Sequence, residues 1–313
     1  MIDFRKAQES FKEYLKDYDL ENGSIELKIR HTYEVVKKSE YIATGLKLDK
    51  ENIELAKIIA LLHDIGRFEQ IKEFNEFNDK KIEHAEFGVK VLFEEKLITK
   101  FIKDRKYDNI ISKAIYNHNK FKIEDNLNDI ELLHCKIIRD ADKIDNFRVK
   151  QYDKFEDMFP KIYNKETINY EMVTKKVYED FMEHKCIKLE DRKTIIDYWV
   201  CVIAFIFDLN FDISLKYVQE NNYIDILVDR IDYQNDDTKQ KMENIRKCAK
   251  EYIKNKQIKL WEVFMKYQIW LSIALAKIES NWWKWLLILW NSANTYPLIV
   301  ETMIFSSLNL IVD

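Results

Sequence analysis

Proline and glycine are almost missing from this chain: two and four residues among 313. Helix breakers and tight-turn residues are therefore scarce, which favours long helices with short connections. No alternation of apolar and polar residues is strong enough to support a sheet. Cysteine is scarce as well. Cys135, Cys186, Cys201 and Cys248 lie far apart and form no CxxC pair, so they read as reduced core thiols of a cytosolic protein and not as a disulfide frame. Neither charge dominates: 51 basic against 55 acidic residues leave a net charge of −4. The basic footprint of a nucleic-acid binder is absent, and no nucleic-acid polymer is expected as a partner. The opening residues, Met1-Ile2-Asp3-Phe4-Arg5-Lys6, carry no apolar run after their charges. No secretory signal is read there, and a cytoplasmic location is expected.

Hydrophobic residues make up 47% of the chain, enough to bury a sizeable core. Residues 1–257 read as an all-α array. Ser24 is placed as the cap of a helix reaching Leu46, with His31 in its second turn. Asp49 caps the next helix, in which Ile53, Ala56, Ile59, Ala60 and His63 recur at helical spacing until Gly66 ends it. Residues 73–82 read as a loop. A short helix is expected from His84, another over 107–118, and one from Asp129 to about Phe147. After a loop with Pro160, helices are expected over 167–184, 191–209, 213–231 and 236–256.

Composition shifts after residue 257. Six of the seven Trp lie beyond it (Trp261, Trp270, Trp282, Trp283, Trp285 and Trp290), and residues 293–313 carry only Glu301 and Asp313 as charges. Residues 258–313 are therefore expected to form a Trp-rich apolar helical tail. Lys277, Glu279, Lys284 and Pro297 interrupt it, so a membrane span is not read. Packing against the body or a partner is the first expectation. Peripheral contact with a membrane surface is the second, since Trp and Lys on an apolar segment suit an interfacial helix.

The densest chemistry surrounds His63-Asp64, which ends the run Ile58-Ile59-Ala60-Leu61-Leu62 and precedes Ile65-Gly66-Arg67. An acid directly after five apolar residues is costly to bury without a partner. Near a helix C-terminus it also opposes the macrodipole, and a cation would reverse that penalty. Imidazole and carboxylate together are the donor mixture of Zn, Fe, Mn or Ni. His31, His84 and His118 are further donors, each ambiguous alone. His134 stands about 80° around the helix from Asp142 and is read as structural. His184 is read as a solvated helix end. The closing carboxylate stays open among Asp140, Asp142 and Asp145: the first two diverge on a helix, whereas Asp142 and Asp145 share a side.

The order His31, His63-Asp64, Asp142 resembles the H…HD…D signature of the HD-domain superfamily of metal-dependent phosphohydrolases. The phrases Leu61-Leu62-His63-Asp64-Ile65-Gly66-Arg67 and Ala141-Asp142-Lys143-Ile144-Asp145 are similar to those of the family. The resemblance implies an HD helical bundle with additional C-terminal helices, its metal core at about 24–150, and it favours Asp142 as the closing ligand. It further implies His84 and His118 as ligands of a second ion, with Asp64 bridging the two. One or two divalent ions (Mn, Fe, Zn, Ni or Mg) are expected. Asn119 stands where the cyclic-dinucleotide-cleaving branch repeats its last His, and no GYP motif is present. Arg67-Phe68-Glu69-Gln70 lacks the Glu-Asp pair of the (p)ppGpp hydrolases.

The expected reaction is hydrolysis of a phosphomonoester or phosphodiester in a small molecule, a nucleotide before others, by hydroxide generated at the metal. Arg67, whose fork can take two phosphate oxygens, and Lys143 are the candidate catalytic cations beside Asp64. Asp145 is read as an acceptor that orients a ligand His. Phe68, Phe74 and Phe77 could stack on a base, although anchoring the loop is their expected role. A non-catalytic metal- or nucleotide-binding module is the competing class, and a metal-dependent nuclease the third.

Overall fold

Helix α1 (Phe4–Tyr14) begins where the Asp3 carboxylate accepts a bond from the Lys6 N–H. Its buried Phe11 and Tyr14 pack with Tyr18 and Phe68. The computed structural model describes residues 2–279 except 75, 76, 78, 80 and 160–162, with the backbone alone over 258–279. No strand occurs among the described residues, and the protein is all-α there. The loop expected at Pro160 and the tail beyond Glu279, with Trp282, Trp283, Trp285 and Trp290, lie outside them. Among the described residues no helix is long and apolar enough to cross a membrane.

The second helix, α2, runs from Gly23 to Gly45. Its cap is Asn22 and not Ser24: the extended Asn22 backbone lets the side chain accept from the Ser24 and Ile25 N–H groups, satisfying two donors a helix start leaves open. Asp49 caps α3 (Lys50–Leu62) as its position suggests, by accepting from the Asn52 N–H. Ile58, Ile59, Ala60, Leu61 and Leu62 are all at most 1% exposed. Every side of that last turn is covered, because α3 packs on α1, on α2 and on the later helices α6 (Asp108–Asn117) and α7 (Asp129–Tyr152). At ~1.5–3 kcal/mol for each large buried aliphatic side chain, this turn is a rigid anchor for the two residues that follow it.

Helix α3 ends at Leu62, and His63 and Asp64 form a turn from which α4 (Ile65–Phe74) leaves. Gly66 therefore does not terminate a helix; it lies in the first turn of a new one. A Cβ at Gly66 would sit 2.0 Å from the His84 carbonyl oxygen and 2.8 Å from the Gly88 N. The glycine is required by the close crossing of α5 (His84–Val89) and not by a helix stop. The loop expected from residue 73 thus starts after Phe74, and Phe68 is a buried core ring of α4.

Next come α6 (Asp108–Asn117) and α7 (Asp129–Tyr152). The cap of α7 is Asn128, one residue before the expected Asp129, and it forms a reciprocal capping box with Glu131. The helix passes Phe147 by more than a turn. Beyond it lie α8 (Phe155–Met158), α9 (Lys175–Met182), α10 (Ile195–Ile203), α11 (Asp212–Glu220), α12 (Tyr223–Asp229) and α13 (Asp236–Glu279). The helix expected over 213–231 is broken at Asn222, whose φ of 53° is left-handed, a conformation asparagine tolerates better than most residues. Those expected over 167–184 and 191–209 are shorter α-helices flanked by 3-10 turns. The chain divides into two compact units, Met1–Lys250 and Glu251–Asp313. His31, His63, Asp64, His84, His118 and Asp142 all belong to the first.

Candidate metal centre

Helices and helix ends far apart in sequence bring the site together. Helix α2 supplies His31, the α3–α4 turn supplies His63 and Asp64, α5 supplies His84 at its first position, the end of α6 supplies His118, and α7 supplies Asp142. His31, His63, Asp64, His84 and His118 are each at most 4% exposed; Asp142 is the most open member. The turn also revises the electrostatics of Asp64. It ends α3 but immediately precedes α4, and a helix N-terminus favours a carboxylate.

The four imidazoles share one orientation. In each, Nδ1 faces an acceptor: Asp145 Oδ2 at 2.7 Å from His31, the Ala60 carbonyl at 2.7 Å from His63, Asp79 Oδ1 at 2.9 Å from His84, and the Ile115 carbonyl at 2.6 Å from His118. Donation from Nδ1 turns each Nε2 inward and, in a neutral ring, leaves its lone pair there. All four Nε2 atoms surround Asp64. His31 and His63 lie 3.7 and 3.5 Å from Oδ2, whereas His84 and His118 lie 3.6 and 3.9 Å from Oδ1. Asp142 Oδ1 is 3.1 Å from the His31 Nε2. The donor atoms fall into two groups that could each hold an ion, His31–His63–Asp64 and Asp64–His84–His118.

Two features fit a cation in these groups. The His63 Nε2 is buried without a hydrogen-bond partner, and an orphaned polar atom at this depth calls for one. The Nε2 atoms of His84 and His118 face each other at 3.1 Å while both Nδ1 atoms are occupied as donors. Two lone pairs so close repel unless positive charge lies between them.

Charge around the cluster is strongly perturbed. Burial alone would raise the Asp64 pKa, but Lys28 and the surrounding imidazoles hold it well below the carboxylate range. The Lys28 ammonium is 2.7 Å from Asp64 Oδ2. Burial, reinforced by His84 and His63, pushes His118 down to about 3, and burial also lowers His63; both favour the neutral, ligating form. Burial and Lys28 act the same way on His31, but hydrogen bonds to Asp142 and Asp145 outweigh them and raise it to about 9. Asp145 is a hub: besides His31 it accepts from Arg148 at 2.6 and 2.9 Å and lies 3.7 Å from the Lys38 ammonium. It orients the His31 ring, the role its spacing suggests.

The two expected catalytic cations are each paired with a carboxylate. The Arg67 fork closes on Asp79 with two bonds of 2.8 Å. It therefore touches the cluster through Asp79 and His84. Lys143 pairs with Asp208 at 2.9 Å, beside the Arg139–Asp208 bond of 2.6 Å. It points away from the Asp142 side of α7, as neighbouring helix positions do. Asp140 likewise leaves the cluster and accepts the Asn210 and Phe211 N–H groups. His134 is buried against Asn52, and His184 is an exposed residue past the end of α9.

Sequence reasoning missed Lys28, Asp79 and Asn146. Lys28 is one turn before His31, an i,i+3 spacing that could have drawn notice. Asn146 donates to the Asp142 carboxylate at 3.2 Å from one turn later. Asp79 carries no signal within its polar run.

Residues 29–146 match the family model of the HD domain, a segment that contains all six clustered residues. The chain carries an HD domain. No curated protein and no solved structure gives a significant match. HD domains bind divalent metals, and the family generally includes metal-dependent phosphohydrolases. The HD pair of this domain is the turn at which both halves of the cluster meet.

Proposed function

We propose that the protein is a metal-dependent phosphohydrolase that cleaves a phosphate ester of a small molecule, a nucleotide before other classes. The observation that carries the reading is the inward Nε2 set around one carboxylate, with His63 Nε2 left unpartnered at full burial. His31, His63, Asp142 and Asp64 Oδ2 would hold one ion, and His84, His118 and Asp64 Oδ1 a second. A divalent ion bound there supplies Lewis-acid polarisation of a phosphoryl oxygen and a water acidic enough to attack at neutral pH.

The chain's own groups supply orientation and charge. Asp145 and Asn146 fix the His31 ring and the Asp142 carboxylate. Arg67 and Asp79 fix His84. Lys28, 18% exposed at the side chain and already beside Asp64, is the cation positioned to meet negative charge that develops on a phosphoryl group. It takes the role that spacing alone assigns to Arg67 and Lys143. A complete donor set with positioned supports favours an enzyme over a non-catalytic module.

The test is turnover. Protein loaded with Mn or Fe is expected to release phosphate from members of a nucleotide and phosphate-ester panel, and metal stripping is expected to stop it. A metal-loaded protein that is stabilised by nucleotides yet releases nothing would establish the binding module instead.

A further inference from the structure

The segment entering α10 carries an arginine whose side-chain donors the fold leaves unused. Arg192 is half-buried, and its Nε lies fully inside with no hydrogen-bond partner. Its guanidinium makes no hydrogen bond or ion pair among the described residues; its contact is the Tyr198 ring, whose centre is 4.9 Å from Cζ. An aromatic face suits the flat guanidinium and holds its plane, but that contact consumes none of the five N–H donors. A buried donor left open is costly, and an acceptor that reached it would remove the cost.

The carboxylates close by in sequence or in space are committed elsewhere. Asp197 Oδ1 accepts from the Thr174 N–H at 2.9 Å and its hydroxyl at 3.1 Å, and Oδ2 accepts from the Lys193 and Thr194 N–H groups at 2.9 and 3.3 Å. Glu171 Oε2 accepts the Ile195 N–H at 2.6 Å. The Thr194 hydroxyl accepts the Asp197 N–H at 3.0 Å, so the start of α10 is already capped. Glu190 and Asp191 line a separate cavity with Lys176 and Asp180. What remains unmet here is Arg192.

Arg192, Lys193, Glu171 and Tyr198 line one cavity of about 250 Å³. The exposed Lys193 gives one bond to the Glu190 carbonyl, which leaves its ammonium two further donors. Two cations against one carboxylate that is already bonded give the cavity a positive excess. Its size is just below the ~300–1,000 Å³ of drug-sized sites, which suits an anionic group with few atoms attached.

We propose that this cavity binds a small oxyanion, a phosphoryl or carboxylate group, gripped by Arg192 with Lys193 adding charge. Nε and a neighbouring terminal N–H of a guanidinium take two oxygens of one such group side by side. The cavity lies outside residues 29–146, which match the HD domain, and the proposal does not depend on the phosphohydrolase reading.

The experiment follows thermal unfolding of full-length, metal-loaded wild type and Arg192→Met in rising sodium phosphate and, separately, sodium acetate, each balanced with sodium chloride to one ionic strength. Binding of either anion at the metal cluster is common to both proteins and cancels in the difference. An anion that binds the folded state raises Tm with its concentration, so the gap between wild type and variant is expected to widen in at least one of the two salts. Calorimetry with that salt is expected to show at least about tenfold weaker binding by Arg192→Met. A response to phosphate assigns the cavity to phosphoryl compounds, and a response to acetate assigns it to carboxylates. Arg192→Lys keeps the charge without the fork and carries the test should the methionine variant not fold: its gap to wild type should widen in the same salt, by less. A gap that stays constant in both salts would make Arg192 a stacking partner of Tyr198 and nothing more, and would overturn the site.

Discussion

The two halves of the cluster meet at one carboxylate but are supported differently. Around Asp64 Oδ2, His31 and Asp142 come from α2 and α7, two long helices packed on each other. Their outer partners, Asp145 and Asn146, are on α7 as well. Around Oδ1, His84 and His118 lie at helix ends, and among the described residues Asp64 is the carboxylate that their Nε2 atoms share. His84 is steadied by Asp79, which is 39% exposed at the side chain and itself held by Arg67. The first half is set by helix packing, and the second depends on one loop residue and one close helix crossing. The first half should therefore bind its ion more tightly, and the second should be the part that fails first.

The largest effect is expected where the halves join. Asp64→Asn removes charge shared by both, leaves the Lys28 ammonium unpaired and should lower turnover by about three orders of magnitude, with metal lost from both halves. Metal analysis on the purified variant checks it; retention of one full equivalent would show that the carboxylate is not shared. Gly66→Ala comes next. Its methyl group would collide with the α5 backbone at His84 and Gly88, so α5 must shift and carry His84 with it. Overpacking of this kind costs ~1–3 kcal/mol, read as a lower Tm, and the second ion should be lost while the first stays. Loss of both ions together would remove the distinction between the halves.

Arg67→Met sharpens the comparison further. Removing a support behind a ligand lowers metal affinity by about 10- to 100-fold, and here the loss should fall on the second ion alone. Were Arg67 a phosphate-binding group, metal content would stay at wild type and KM would rise instead. The two outcomes separate through metal titration and steady-state kinetics on the same sample.

What could be read from sequence follows the range of the interaction. The HD pair, His31 and the downstream His and Asp residues stand out because their residue types are few: six His in the whole chain. The structure gathers five of the candidate ligands, His31, His63, Asp64, His84 and His118, at 4% exposure or less. Lys28 was hidden because it is one of 51 basic residues and its partner lies 36 positions away. Arg67 was legible as a cation but not as one paired with Asp79, since nothing in a polar loop fixes which acid turns inward. Gly66 reads as a helix stop because glycine serves both as a terminator and as a place for close approach. Only the position of α5 decides between them. The same holds for Asn222, where a left-handed residue splits a run of helix-forming sequence.

The smallest effect on the site concerns a histidine outside it and shows what burial does alone. His134 is 1% exposed, like the cluster residues, but its charged neighbours are few, and burial takes its pKa down to about 4. The folded state thus holds it neutral. Below the ordinary value of about 6.5 the unfolded chain takes up a proton that the folded protein refuses until pH reaches about 4. Stability from this group is full above about pH 6.5 and is lost as pH falls through that window. Replacing His134 with glutamine, which can still donate to Asn52, removes the effect. The stability gap between wild type and His134→Gln, from urea unfolding, should narrow by ~2–3 kcal/mol between pH 7 and 4.5 at 1.36 kcal/mol per pKa unit, with turnover at neutral pH unaffected. A constant gap would mean that water reaches the His134 ring. The opposite shift of His31, raised to about 9 at equal burial, would then still be ascribed to Asp142 and Asp145, but without a buried reference against which to measure them.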